Sequence, residues 1–91
     1  MARIDVTCQS GAADWSCEVD VAEGSSATRH RVSVAPGDLA RLDPGAADPT
    51  ELVRRSFEFL LEREPKESIL RTFDLTVIGR YFPDWEQRIR R

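Results

Sequence analysis

The fold is decided by the stretch WSCEVDVAEGSSATRHRVSV, residues 15–34. Apolar and polar residues alternate over residues 15–21, and they alternate again over residues 28–34. This period of two is typical of strands that bury one face. Gly24-Ser25 lies between the two runs and predicts a tight turn, because glycine adopts backbone angles that other residues avoid. The stretch therefore predicts a β-hairpin.

The turn at Gly24-Ser25 also predicts which residues of the hairpin lie opposite each other. Asp20 would face Arg29, and Glu18 would face Arg31. Opposite charges paired across two strands contribute about 0.2–1 kcal/mol each. We therefore interpret these arginines as partners of the carboxylates on the polar face of a sheet.

Residues 2–8 alternate in the same way and predict a further strand before this hairpin. A turn at Gly11 and Ala12 would place Cys8 opposite Trp15, whereas a turn one residue later would place Cys8 opposite Cys17. Both registers keep the apolar residues on one face. We favour the first, because Gly11 can supply the positive φ of a type II′ turn.

Asp48-Pro49-Thr50-Glu51 predicts the start of the main helix, over residues 48–64. An acidic N-cap, a proline at the first helical position and a glutamate at the third satisfy a capping box. Pro65 ends this helix, and we expect short helices over residues 66–90. The apolar residues of the main helix cover a wide arc of the wheel: Leu52, Val53, Phe57, Phe59, Leu60 and Leu61.

These elements predict an α+β fold in a single domain over residues 1–91. A three-stranded antiparallel β-meander, residues 1–35, would be packed on one face by C-terminal helices, in the order β-β-β-α-α. Ninety-one residues can build one hydrophobic core.

Composition predicts a cytoplasmic protein without a membrane partner. No run approaches the ~18 apolar residues that a membrane span requires, and the first residues lack the apolar core of a signal peptide. Cys8 and Cys17 are then expected to be reduced thiols.

The charge balance argues against a nucleic-acid partner. Residues 1–48 carry eight acids and four arginines, for a net charge of −4, and residues 49–91 carry eight acids and nine bases, for +1. The sum is −3. Proteins that bind nucleic acids usually have a basic excess, because their affinity comes largely from counterion release at phosphates.

Few residues are candidates for catalysis or metal binding. His30 is the only histidine, and it shares a strand face with valines. Cys8, Cys17 and His30 are the right ligand types for zinc, but structural zinc usually takes four ligands and no second close pair of cysteines is present. We therefore expect core cysteines and a hydrogen-bonded histidine, with no catalytic, cofactor or metal site.

An alternative function is DNA binding through residues 68–82, which loosely follow a helix-turn-helix pattern. Thr76 and Arg80 would face the bases, and the tail arginines Arg88, Arg90 and Arg91 would contact phosphates. The turn lacks its usual glycine and the second helix would be apolar on most sides, so a packed core helix is the preferred interpretation.

The positive indication of function is an excess of apolar side chains in the C-terminal half. Large aromatic residues near a chain end either cover the core or anchor a protein interface. We predict a non-enzymatic protein-interaction module or accessory subunit, with a homodimer as one form of it. The surface that we expect to bind consists of Phe59, Tyr81, Phe82 and Trp85.

The C-terminal half also resembles a group of small bacterial α+β proteins. The run from Arg54 to Leu70, continued by Phe73-Asp74-Leu75 and Tyr81-Phe82-Pro83, carries this resemblance. It implies a stand-alone bacterial domain and supplies no function or residue role.

Overall fold

A four-stranded mixed sheet organises the computed structural model, which describes residues 2–90. Its strands follow the order β1-β2-β3-β4. The first three are antiparallel, and β4 lies parallel to β3. The α+β class is confirmed, but the three-stranded, purely antiparallel meander is wrong. The strands are β1 (Arg3–Ser10), β2 (Trp15–Glu23), β3 (Ser26–Val34) and β4 (Thr72–Asp74).

The first hairpin adopts the register that the sequence analysis did not favour. Cys8 lies opposite Cys17, and Ser10 lies opposite Trp15. The amide of Gly11 donates to the carbonyl oxygen of Asp14 at 2.8 Å. A Cβ at residue 11 would lie 2.8 Å from that oxygen, and Gly11 does not have a positive φ. Glycine is therefore needed for close approach at the base of the turn.

The second hairpin has the predicted register. Gly24 has a φ of 63°, as its turn requires. Arg29 Nε donates to Asp20 at 2.7 Å, and Arg31 lies 3.4 Å from Glu18. These exposed pairs belong to the polar face of the sheet, as predicted.

A disulfide joins Cys8 to Cys17, so the prediction of reduced thiols is wrong. The observed register places the two residues directly opposite each other, which brings the sulfur atoms together without any rearrangement of the strands. The cytoplasmic location from which free thiols were inferred stays a prediction.

Helices cover the apolar face of the sheet. The predicted main helix is present, but α2 runs over Thr50–Leu61, with Pro49 as its N-cap, and ends before residue 64. Asp48 accepts a hydrogen bond from the amide of Thr50 at 2.9 Å, whereas Glu51 bonds to Arg54, so the predicted capping box does not form. The hydrogen bonds from Thr50 also lower the pKa of Asp48. The helices are α1 (Pro36–Leu42), α2 (Thr50–Leu61), α3 (Val77–Tyr81) and α4 (Trp85–Ile89), with a 3-10 turn at Lys66–Ser68.

The prediction of helices throughout residues 66–90 is wrong at β4. The amide of Arg31 donates to the carbonyl of Arg71 at 2.7 Å, and the amide of Leu75 donates to the carbonyl of Ser33 at 2.9 Å. These bonds satisfy the open edge of β3, and this gain exceeds the local preference of the segment for a helix.

The core contains residues of the sheet and of all four helices. Trp85 is fully buried, and its Nε1 donates to Ser56 Oγ at 3.1 Å. Ser56 Oγ in turn donates to the carbonyl of Leu52 at 2.9 Å. This chain of bonds satisfies the polar atoms of a tryptophan and a serine that are both removed from water. The largest fully buried apolar residues are Trp85, Phe57, Leu42, Leu52 and Leu75.

In the described part of the chain, no helix combines the length and the apolar character that crossing a bilayer requires.

Candidate functional site

An apolar groove of about 290 Å³ opens beside β4, between the end of α2 and α3. Ten residues line it: Leu60, Glu64, Ser68, Ile69, Leu70, Phe73, Val77, Ile78, Tyr81 and Phe82. All but two of these side chains are apolar or aromatic. Such a surface favours contact with another apolar group over contact with water.

A turn held by Asp74 positions one wall of the groove. The carboxylate of Asp74 accepts hydrogen bonds from Ser33 Oγ at 2.7 Å, from the amide of Thr76 at 3.1 Å and from the Thr76 hydroxyl. Burial raises the pKa of Asp74, but these hydrogen bonds together outweigh burial and the net pKa is lowered. The ionised carboxylate therefore ties the end of β4 to β3 and sets the start of α3.

A histidine on β3 positions the other wall. His30 Nδ1 lies 2.7 Å from the carbonyl oxygen of Leu70, and Nε2 lies 2.8 Å from Thr28 Oγ1. Because a carbonyl only accepts, Nδ1 carries the proton, and in the neutral ring Nε2 accepts from the Thr28 hydroxyl. Burial lowers the pKa of His30, which favours this neutral form. The ring also packs on Phe57, with 5.3 Å between the centroids.

Two large apolar side chains of this groove are exposed to solvent. Leu70 is 49% exposed and Tyr81 is 68% exposed, and they are the exposed large hydrophobic side chains found in residues 2–90. Both line the groove. Single exposed apolar residues are common, but two on the rim of one apolar groove form the kind of patch that marks a binding surface.

Aromatic packing supports the floor of the groove from below. Phe82 is half-buried and meets Phe59 edge-on, with 5.8 Å between the ring centroids. The guanidinium of Arg63 lies over the Phe59 ring, 3.6 Å from its centroid, in a cation–π contact. Phe82 therefore rests on a fixed aromatic base.

Glu64 is the charged residue of the groove lining. Its partial burial among apolar neighbours raises its pKa. The carboxylate gives one side of the groove the capacity to pair with a cation or to accept a hydrogen bond.

The structure places the four predicted interface residues at two depths. Tyr81 and Phe82 line the groove. Phe59 is only 5% exposed and Trp85 is fully buried, so both belong to the core. Phe59 contributes indirectly, by supporting Phe82.

Sequence reasoning missed Leu70 and Glu64 as residues of the site. The sequence predicts a helix around Leu70, whereas this residue lies outside any helix, just before β4, and is 49% exposed. Glu64 was one of sixteen acids in the sequence, with no pattern to separate it from the others.

Cys8, Cys17 and His30, which are the right ligand types for zinc, have other partners in the structure. The two sulfur atoms are bonded to each other, and both nitrogens of His30 have hydrogen-bond partners. Across residues 2–90, no three His, Cys, Asp or Glu side chains converge in an arrangement that could hold a metal ion.

The residues of the DNA-binding alternative do not form a helix-turn-helix. Residues 72–74 are a strand, and the helix that follows has only five residues. The Thr76 hydroxyl is bonded to Asp74, and Arg80 is exposed. Arg88 and Arg90 each lie 3.9 Å from a carboxylate oxygen, and Arg91 lies outside the described residues. DNA binding stays a prediction.

Comparisons with protein-family models, curated proteins and solved structures found no match to this chain. The resemblance of the C-terminal half to small bacterial proteins stays a prediction. The function must therefore be inferred from the chemistry of the groove.

Proposed function

We propose that this protein is a non-enzymatic protein-interaction module or accessory subunit, and that the groove beside β4 receives an apolar segment of its partner. The observation that carries the proposal is that the exposed large hydrophobic side chains, Leu70 and Tyr81, lie on the rim of one apolar groove. Their exposure costs free energy in water, and a partner that covers them recovers it.

The size of the groove favours side chains over a large ligand. Its volume of about 290 Å³ lies at the lower limit of small-molecule pockets, which hold roughly 300–1,000 Å³. Such a space takes one or two large apolar side chains. Tyr81 adds a rigid aromatic surface at the rim, and tyrosine is one of the residues that contribute most at protein interfaces.

Glu64 defines the preferred charge of the partner. A carboxylate within an apolar groove is stabilised when a cation approaches it. We therefore expect the partner segment to carry one or two apolar anchor residues next to a lysine or arginine.

The proposal is tested by selecting peptides from a random display library against the purified protein. Selected peptides should share apolar anchors beside a basic residue. Tyr81→Ala and Leu70→Ser should each weaken their binding by roughly tenfold or more, as expected for hot-spot residues. Both side chains are exposed, so the variants should remain folded, which circular dichroism would verify.

Arg29→Ala is the matched control, because Arg29 is exposed on the polar face of the sheet. Its affinity for the selected peptides should equal that of the wild type. Failure to select any peptide, or peptides that bind the groove variants as well as the wild type, would contradict the proposal.

Glu64→Gln tests the charge preference separately. This variant should bind apolar peptides normally while losing its preference for a basic residue. In the wild type, the preference should fade on acidification at a pH above that of an ordinary glutamate, because the pKa of Glu64 is raised.

A further inference from the structure

We propose that the outer edge of β1 pairs with β1 of a second copy of the chain, so that two sheets join into one eight-stranded sheet. β1 is an end strand of the sheet, and within residues 2–90 no strand lies beyond it. The groove lies beside β4 at the other end of the sheet, so this surface is independent of the proposed partner site.

A contact from α2 shows which backbone groups of β1 point outward. Arg54 donates to the carbonyl oxygen of Ile4 at 2.8 Å, so this carbonyl is directed away from β2. In an antiparallel strand, every second residue directs both its N–H and its C=O to the same side. Ile4, Val6 and Cys8 therefore direct their backbone groups to the outer edge.

The hydrogen bonds at the opposite end of the sheet lead to the same assignment. The amide of Arg31 bonds to β4, so Arg31 and its β2 partner Glu18 form a non-hydrogen-bonded pair. The next residue of β2, Val19, must then bond to β3. Its partner in β1, Val6, is left with its N–H and C=O directed outward.

Three of the devices by which proteins prevent strand pairing are absent from this edge, although Arg54 covers one carbonyl and Arg3 and Asp5 place charges on β1. Strands at sheet edges are commonly shortened, bulged or interrupted by proline. β1 pairs continuously with β2 over eight residues, without a bulge, and contains no proline. Arg54 covers the carbonyl of Ile4, and the disulfide holds β1 against β2 so that its edge keeps one position.

A second copy fits this edge because the strand is complementary to itself. With a two-fold axis at Val6, the two Val6 residues face each other and Ile4 faces Cys8 of the second copy. On the polar face, Asp5 then lies opposite Thr7, and no like charges meet. These apolar side chains are only half-buried in one chain, and the pairing would cover them further.

The alternative register centred on Asp5 is disfavoured, because it sets two Asp5 carboxylates opposite each other. In the register centred on Val6, the carbonyl of Ile4 has two lone pairs, so it can accept from the second copy while it keeps its bond to Arg54. The charges on the polar face therefore favour the register centred on Val6 over the register centred on Asp5.

The test measures both mass and backbone protection on the oxidised wild-type protein. Sedimentation velocity from low micromolar to near millimolar concentration should show a reversible dimer. Hydrogen exchange at the same concentrations should show the amides of Val6 and Cys8 slowing as the dimer forms. Amides of β1 that already bond to β2, such as that of Thr7, should change little.

Val6→Pro removes the outward donor without removing a β1–β2 hydrogen bond, a position at which edge strands tolerate proline. Two hydrogen bonds of the dimer are lost, so dimerisation should weaken roughly 30-fold or more. Val6→Ala retains the amide and is the control for the lost side chain. Circular dichroism and a thermal melt establish that both variants are folded.

Three results would overturn the proposal: a monomer at every concentration, a dimer in which the amides of Val6 and Cys8 exchange as fast as in the monomer, or a folded Val6→Pro that dimerises like the wild type. If Val6→Pro does not fold, the wild-type exchange data decide the question alone.

Discussion

Reduction of the disulfide between Cys8 and Cys17 should destabilise the protein by about 2.5 kcal/mol. The two residues are separated by nine positions, and the loop-closure relation gives this value for a loop of about that length. The bond acts mainly on the unfolded chain. It keeps Cys8 close to Cys17 and so lowers the conformational entropy that this chain would otherwise have. The hydrogen bonds of the hairpin persist after reduction, so the protein should remain folded.

The assay is reversible unfolding in guanidinium chloride, with and without a phosphine reductant. For a domain of this size, a loss of about 2.5 kcal/mol corresponds to a decrease in melting temperature of roughly 10–20 °C. Titration of thiols in the unfolded protein should find two after reduction and none before. Cys8→Ser supplies the control, since its unfolding midpoint should not respond to the reductant.

Coincident unfolding curves for protein verified as oxidised and as reduced would refute this reasoning. That result would mean that residual structure already restricts the reduced, unfolded chain as much as the disulfide does. A complete loss of structure on reduction would refute it in the other direction, because it would show that the hairpin cannot hold its register through hydrogen bonds and packing.

Three further changes test the core and the walls of the groove. Trp85→Phe removes the donor to Ser56 and leaves a small cavity, so urea unfolding should show a loss of about 1–3 kcal/mol. The pKa of His30 is lowered in the folded protein, so the unfolded state binds more protons below pH ~6.5. The free energy of unfolding of the wild type should therefore fall as the pH drops from 7 to 5, and it should fall less in His30→Gln. The lowered pKa of Asp74 stabilises the fold above pH ~4, and this contribution is lost in stronger acid; Asp74→Asn should be less stable at pH 7 but lose less on acidification to pH 3, and equal losses in both proteins would contradict the assigned role.

The groove shows how far a site can be inferred from aromatic residues alone. Tyr81 and Phe82 were predicted on the basis of residue type and of crowding in the C-terminal half, and both line the groove. Trp85 was predicted with them but is fully buried. Residue type does not distinguish an interface from a core, because both are rich in large aromatic side chains. Burial depends on which elements pack over the residue.

Local patterns of the sequence determined the elements whose signals are short in range. Alternation and Gly24-Ser25 predicted the second hairpin with its charge pairs, and Asp48-Pro49 predicted the start of α2. Each depends on residues that are close in the chain, so the physical cause is present in the sequence itself.

Only the tertiary structure decided the features that depend on distant backbone groups. β4 exists because its carbonyl and amide groups satisfy β3, some forty residues earlier in the chain. That pairing places β4 and the segment before it, which includes Leu70, beside the groove and leaves β1 as the other end of the sheet. No local propensity encodes such bonds, because their free energy is gained only when both strands are already in place.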